Sequence, residues 1–262
     1  MGALKKLAAQ YNKYRPLINE LVVRDLKVKY RRSFLGYLWS LLNPLLMMFV
    51  LNLVFSNVFR FDIVNFPLYL ICGQTLFNFF NESTTTSMYS ILANAPLIKK
   101  VYIPKFIFPV ARVLSSFVTM SFSLVAILIV MIFTGSPITF YLPLIIYPLF
   151  CLFLFSCGMG MILAALSVYF RDITHLYGVF TLAFMYLTPI FYPIEAVPES
   201  IQTVIFCNPL YHYIEMFRSF IVGGCMPADP MLWLWSILSG LSVFIVGLVV
   251  FNKLQKNFIL YI

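Results

Sequence analysis

From Gly36 to Phe59 the chain runs 24 residues without one charged side chain, and further apolar stretches of similar length follow it. A helix rises 1.5 Å per residue, so about 20 mostly apolar residues cross a hydrocarbon core roughly 30 Å thick. On that criterion six spans are expected, at 36–59, 66–88, 109–133, 142–168, 174–193 and 231–252. With 62% hydrophobic and 10% charged residues among 262, the chain has too little polar side chain to cover a soluble globule. The expected fold is an all-α integral membrane protein, with residues 1–35 as a cytosolic segment and 36–262 as the membrane domain.

Basic residues set the direction. Nine lysines and arginines precede the first span, four lie in or beside the 89–112 connection, Arg171 lies between the fourth and fifth spans, and two follow the last. Only Arg60 and Arg218 fall on the opposite side, so the positive-inside rule places both termini in the cytosol. A net charge of +9 would ordinarily raise nucleic acid as a partner. Here the cations cluster beside apolar spans, and membrane topology accounts for them instead. No apolar stretch near the start is followed by a small-residue cleavage site, so no cleaved leader is expected.

Just before the first span, Leu17, Ile18, Leu21, Val22, Leu26 and Val28 recur at near-helical spacing against Arg24, Lys27, Lys29, Arg31 and Arg32. This pattern predicts an amphipathic helix in the inner interface, its basic face held by anionic headgroups. It serves either as an anchor or as a receiver for a cytosolic partner. The 194–230 stretch lies outside and is apolar, yet Asn208-Pro209 interrupts it and each half is too short to cross. A re-entrant helical hairpin in the outer leaflet is expected. Glu215 and Arg218, three residues apart, form either a surface pair or part of substrate handling.

In the second span Gln74, Asn78, Asn81, Glu82 and Thr85 share one helical face, which is expected to point into the bundle. Glu82 lies toward the cytosolic end of that span. It either binds a neighbouring helix or acts in transport, as ionisable groups inside membranes often do. Gly158, Gly160 and Ala164, and Gly240 with Gly247, are expected to let helices pack closely. Aromatic residues make up 18% of the chain, more than two interfacial belts need. Tyr37, Trp39 and Asn43 on the first span and Phe184, Tyr186, Phe191 and Tyr192 on the fifth suit an aromatic-lined path for a glycan, or lipid contact.

No G-x-x-x-x-G-K-[ST] loop occurs, so this chain lacks the usual phosphate cradle and any ATP-driven cycle requires a second polypeptide. The 89–112 connection, with Lys99, Lys100 and Lys105 among Pro96, Pro104 and Pro109, is the expected place to receive that force, or else a basic linker. Metal-ligand spacing, clustered carboxylates and a nucleophile with a histidine partner are all missing, and an intramembrane enzyme fits poorly. The five cysteines include no CxxC pair and are expected to be free, with a Cys207–Cys225 disulfide as an open alternative.

The stretch "RDLKVKYRRSFLGYLWSLLNPLL", then "YFRDITHL" (Tyr169–Leu176) and "PIFYPIEAVPESIQTVIFCNPLYHYIEMFRSFI" (Pro189–Ile221), resemble in order the permease subunits of type-2 ATP-binding-cassette exporters of bacterial surface polysaccharide. The resemblance implies a homodimer of six-span subunits in the bacterial cytoplasmic membrane, joined to two copies of a cytosolic ATPase. That ATPase would bind ATP and Mg, and this chain no cofactor. The cargo would be a lipid-linked O antigen or teichoic acid, carried on undecaprenyl-diphosphate. By resemblance, Leu17–Arg32 is the interface helix and 94–105, with Lys99, Lys100, Tyr102, Pro104 and Lys105, the main coupling helix. Arg171-Asp172 is a second contact with the ATPase or with the interface helix, and 196–222 the external hairpin. Two competing readings remain: a small drug or lipid exporter of the same fold, and a proton-coupled carrier using Glu82.

Overall fold

A computed structural model describes residues 2–31, 33–58, 63–227 and 229–261. The described chain is helical without strands. Its helices are α1 (Gly2–Lys29), α2 (Trp39–Val58), α3 (Phe66–Met88), α4 (Ser90–Ala93), α5 (Ala95–Lys100), α6 (Ile107–Thr134), α7 (Ile146–Tyr169), α8 (Ile173–Leu187), α9 (Glu199–Phe206), α10 (Pro209–Ile221) and α11 (Pro230–Leu254). Short 3-10 turns precede α2 and α7, precede α9, and close the chain at Gln255–Leu260.

Helix boundaries follow local chemistry. Asn65 adopts a left-handed conformation and its side-chain amide donates to Thr134 Oγ1 at 2.8 Å, joining the start of α3 to the end of α6. Gly135, also left-handed, ends α6. Asn208 and Asp229 accept the N–H of Leu210 and Met231, each followed by proline at the first helical position. Pro44 inside α2 has no N–H for the Ser40 carbonyl four residues back. The Ser123 hydroxyl of α6 donates to that carbonyl at 3.0 Å, so the break in the ladder is filled from a neighbouring helix.

Four helices are long and apolar enough to cross a membrane among the described residues: Gly36–Phe55, Ile107–Thr134, Leu142–Tyr169 and Pro230–Leu260. The second expected span is a 23-residue helix, about 34 Å long, but its polar residues dilute its apolarity. The fifth departs further from expectation. α8 has 15 residues, about 22 Å, and stops at Leu187 because Pro189 forces Thr188 out of the helical region. The expected residues 188–193 form a bent, non-helical segment instead, with the Ile190 N–H donating to the Thr188 carbonyl at 2.7 Å.

One core lies among α3, α6, α7 and α10, around Phe80, Met120, Phe155, Tyr213 and Phe217. A second, at the end of the bundle carrying α1, joins Leu21, Ile98, Phe108, Met161, Phe251 and Phe258. The glycines act as expected in packing α7 on α11. A Cβ on Gly158 would run into the Val243 carbonyl, one on Gly247 into Gly158, and one on Gly240 would sit 2.8 Å from the Cys151 carbonyl oxygen.

Candidate functional site

At the α1 end the expected amphipathic helix is longer than its pattern, running from Gly2, and it ends at Lys29; Arg32 lies outside the described residues, as does Arg60. Its apolar face does not lie free in the membrane interface. Leu21 is buried against α5 and α6, with Leu17, Ile18 and Val22 beside it, while Val28 remains exposed. The basic residues also divide. Lys27 and Arg31 are exposed, whereas Arg24 reaches Asn94 Oδ1 at 3.1 Å and Asp25 Oδ1 at 3.1 Å. Asp25 is the residue that sequence reasoning missed. Its side chain is 7% exposed and pairs also with Arg112 of α6 at 3.1 Å, fixing α1 to the bundle. The available signal was a single acid amid five cations between Leu21 and Arg32.

Of the expected coupling helix over 94–105 only α5 is helical; α4 ends before it, and an extended segment follows from Val101. Pro104 cannot continue a helix. Lys99, Lys100 and Tyr102 are exposed on this segment, which suits docking. Lys105 is committed internally: its ammonium donates to the Gln255 carbonyl at 2.6 Å and lies 5.5 Å from the Phe258 ring centre. Burial lowers its pKa below the ordinary lysine value. Tyr169 donates to the Leu254 carbonyl at 2.7 Å, so the C-terminal turn is held from two sides. Arg171 and Asp172 are both exposed. Arg171 shares a cavity of about 440 Å³ with Tyr89, Leu92, His175 and Tyr261, which sets it beside the start of the 89–112 connection.

Much of α2 and α8 is exposed. Tyr37 in the turn before α2, Trp39 and Asn43 on α2 and Tyr186 on α8 are exposed. Phe184 and Phe191 are not: Phe184 packs on Phe80 and Phe180, and Phe191 stacks on Phe55 with ring centres 5.6 Å apart. Tyr192 is half-buried and donates to the Tyr186 carbonyl. The polar face of α3 also departs from expectation. Gln74 is buried, but Asn78 is exposed and Asn81, Glu82 and Thr85 are partly so; the face looks away from the subunit's own core. Glu82 accepts a 2.7 Å hydrogen bond from Lys29 of α1, and the Ser116 hydroxyl donates to it at 3.3 Å.

At the opposite end, Arg218 does not form the surface pair considered for it with Glu215. It is 4% exposed, and its guanidinium donates to the carbonyls of Tyr69 (3.3 Å), Pro189 (2.8 Å) and Ile190 (3.1 Å) while lying 3.4 Å from the Tyr69 ring centre. Two of these carbonyls belong to the segment that prolines keep from being helical. Arg218 supplies the donors that a continued helix would have supplied. Asn208 adds a bond to the Thr188 hydroxyl at 2.9 Å, and Gly73 leaves the room that the guanidinium occupies. Cys207 and Cys225 are free thiols, and no group of three or more metal-ligating side chains converges among the described residues.

Apolar helices of membrane-crossing length, an exposed basic surface at one end, and a polar helical face left open by the subunit itself define a multi-pass membrane transport subunit. The chain belongs to the ABC-2 type transporter family, whose model matches residues 16–222. It is 32% identical over 239 residues, 90% of each chain, to the O-antigen export system permease protein RfbA of Klebsiella pneumoniae. It is 29% identical to the protein of that name from Myxococcus xanthus over 88% of this chain and 90% of the relative. It is 24% identical to the capsule polysaccharide export inner-membrane protein CtrC of Neisseria meningitidis serogroup B over 93% and 92%. In such systems ATP hydrolysis belongs to a separate subunit.

Proposed function

We propose that the chain is the permease of an exporter that moves a lipid-linked surface polysaccharide across the bacterial cytoplasmic membrane. Two copies form the pore, and two cytosolic ATPase subunits binding ATP and Mg drive it. The observation that carries the reading is coverage: relatives named for export of O antigen and capsular polysaccharide align with about nine-tenths of the chain. Their names concern polysaccharide, which argues against a small drug or lipid as cargo. A proton-coupled carrier would need a free acid, and Glu82 is engaged by Lys29 and Ser116.

In this reading α3 and the α8–Pro193 segment complete six crossings with α2, α6, α7 and α11, and both termini are cytosolic. α9 and α10 form an external hairpin that dips into the outer leaflet. Closure of the ATPase pair on nucleotide presses on Lys99, Lys100 and Tyr102 and on Arg171-Asp172. Lys105 transmits that push to the end of α11 through Gln255, and α1 follows through Asn94 and Arg24. The cargo's undecaprenyl-diphosphate anchor stays in the lipid while the glycan passes Tyr37, Trp39, Asn43 and Tyr186.

The test is a Lys99→Glu/Lys100→Glu permease, coexpressed with its ATPase in a host lacking its own export permease. Surface glycan should disappear while ATP hydrolysis persists or the ATPase no longer copurifies. Surface glycan at the unaltered level, with coupled hydrolysis intact, refutes the coupling role.

A further inference from the structure

The middle of the polar face of α3, at Asn78, has no occupant within the subunit among the described residues. Asn78 lies one residue past the middle of a 23-residue helix, so at membrane-crossing geometry its amide sits near the bilayer midplane. It is exposed and has no hydrogen-bond partner among the described residues. One turn above, Gln74 is 9% exposed with its carbonyl oxygen unpartnered. One turn below, Asn81 accepts only a long 3.4 Å bond from Thr85. α8 covers one edge of this face through Tyr177–Thr84 and Phe184–Phe80, and α6 covers the other through Ser116–Glu82. Between them the stripe is uncovered around Asn78 and Asn81, while Gln74 is buried and Glu82 is engaged by Lys29 and Ser116.

Hydrocarbon cannot satisfy amides, and each unsatisfied polar group there costs several kcal/mol by common estimates, so lipid is excluded as the covering medium. A second helix could satisfy amides by bonding across a seam, but the close seam of this subunit, between α7 and α11, is built from Gly158, Gly240 and Gly247, and this face carries no glycine to bring a helix as near. Side-chain amides offer donor and acceptor together, which matches a hydroxyl group that likewise gives one hydrogen and accepts others.

We propose that Asn78 and Asn81 form a pair of amides that binds the hydroxyls of the carbohydrate as it crosses, in a water-filled path of which α3 is one wall. This rests on the glycan-export reading and deepens it: the wall is polar at mid-membrane and aromatic at Tyr37, Trp39 and Tyr186. Amides exchange one hydroxyl partner for the next at little net change, so the polymer is guided without being trapped.

The experiment uses the permease–ATPase complex in lipid vesicles with Cys207 and Cys225 replaced by serine; the other three cysteines are buried. Asn78→Cys is exposed to a charged, membrane-impermeant methanethiosulfonate, with Val246→Cys on the exposed apolar side of α11 as the comparison. Asn78→Cys should be modified at least about tenfold faster, because only a hydrated face presents a reactive thiolate. In cells, Asn78→Leu should lower surface glycan about fivefold, the equivalent of one lost hydrogen bond, with Asn78→Gln restoring it. Labelling no faster than at Val246→Cys overturns the hydrated path. A disulfide joining two copies of the Asn78→Cys variant through the introduced thiol makes the face a subunit seam and overturns it equally. Full glycan export by Asn78→Leu overturns the contact with carbohydrate. An unaltered complex that exports no glycan overturns the export reading itself, which the labelling, needing no glycan, does not depend on.

Discussion

Replacing Arg218 with methionine keeps an unbranched, apolar stem and removes all of the donors. Three carbonyls, at Tyr69, Pro189 and Ile190, then lose a charged donor; the Tyr69 hydroxyl still donates to the Pro189 carbonyl at 3.3 Å and the Tyr69 carbonyl lies within the α3 ladder, so only the Ile190 carbonyl is left without another donor. Hydrogen bonds to a charged group are worth about 1.5–3 kcal/mol each, so the three together set an upper range of roughly 4.5–9 kcal/mol. Part of this is offset, because a guanidinium no longer has to be desolvated and the prolines already keep the segment from being helical. Double-mutant work on membrane helices also finds smaller polar contributions than hydrocarbon transfer suggests, since the opened state finds other partners. The expected net effect is about 3 kcal/mol on the docking of residues 188–193 against α3 and α10, or roughly a hundredfold in its opening equilibrium. Hydrogen–deuterium exchange resolved to peptides is the assay. Amides of Ile190 to Tyr192 should exchange about a hundredfold faster in Arg218→Met, with amides in α7 and α11 unchanged. Arg218→Lys should recover only part, since one ammonium cannot reach three carbonyls in the fork geometry of a guanidinium. Equal exchange at residues 188–193 in Arg218→Met and the unaltered protein refutes the reasoning; so does a rise spread evenly over the whole chain.

Asp25→Ala should detach α1, because Arg112 loses its carboxylate while three-quarters buried; a loss of about 2–4 kcal/mol is expected, read as a lower melting temperature in detergent, and the exchanged pair Asp25→Arg/Arg112→Asp should restore part of it. Gly247→Leu should abolish accumulation of folded protein, since even a Cβ there meets the backbone of Gly158, whereas Gly178→Leu, with open space around it, should accumulate normally; immunoblotting of membranes checks both.

What local composition can dictate, the sequence made legible. Apolar runs with at most one charged side chain give helices at 107–134, 146–169 and 230–254 close to their expected limits, since every backbone group in lipid must bond within its own segment. Asn208-Pro209 marks the break between α9 and α10 because a capping amide followed by proline starts a helix wherever it occurs. The absence of a phosphate loop is likewise a property of the string alone.

The direction in which a face looks belongs to the neighbours. The stripe from Gln74 to Thr85 is fixed by helical spacing, but its outward aspect follows from where α6 and α8 pack. Lys105 and Arg218 read as exposed cations in the sequence, and each is held by carbonyls from segments 28 to 150 residues away. Asp25 gains its importance from an arginine on another helix, and the apolar face of α1 packs on protein where its spacing alone suited a membrane surface equally well. Periodicity and charge depend on adjacent residues and survive in one dimension. Burial, pairing and orientation are sums over distant ones, and only the packed structure evaluates them.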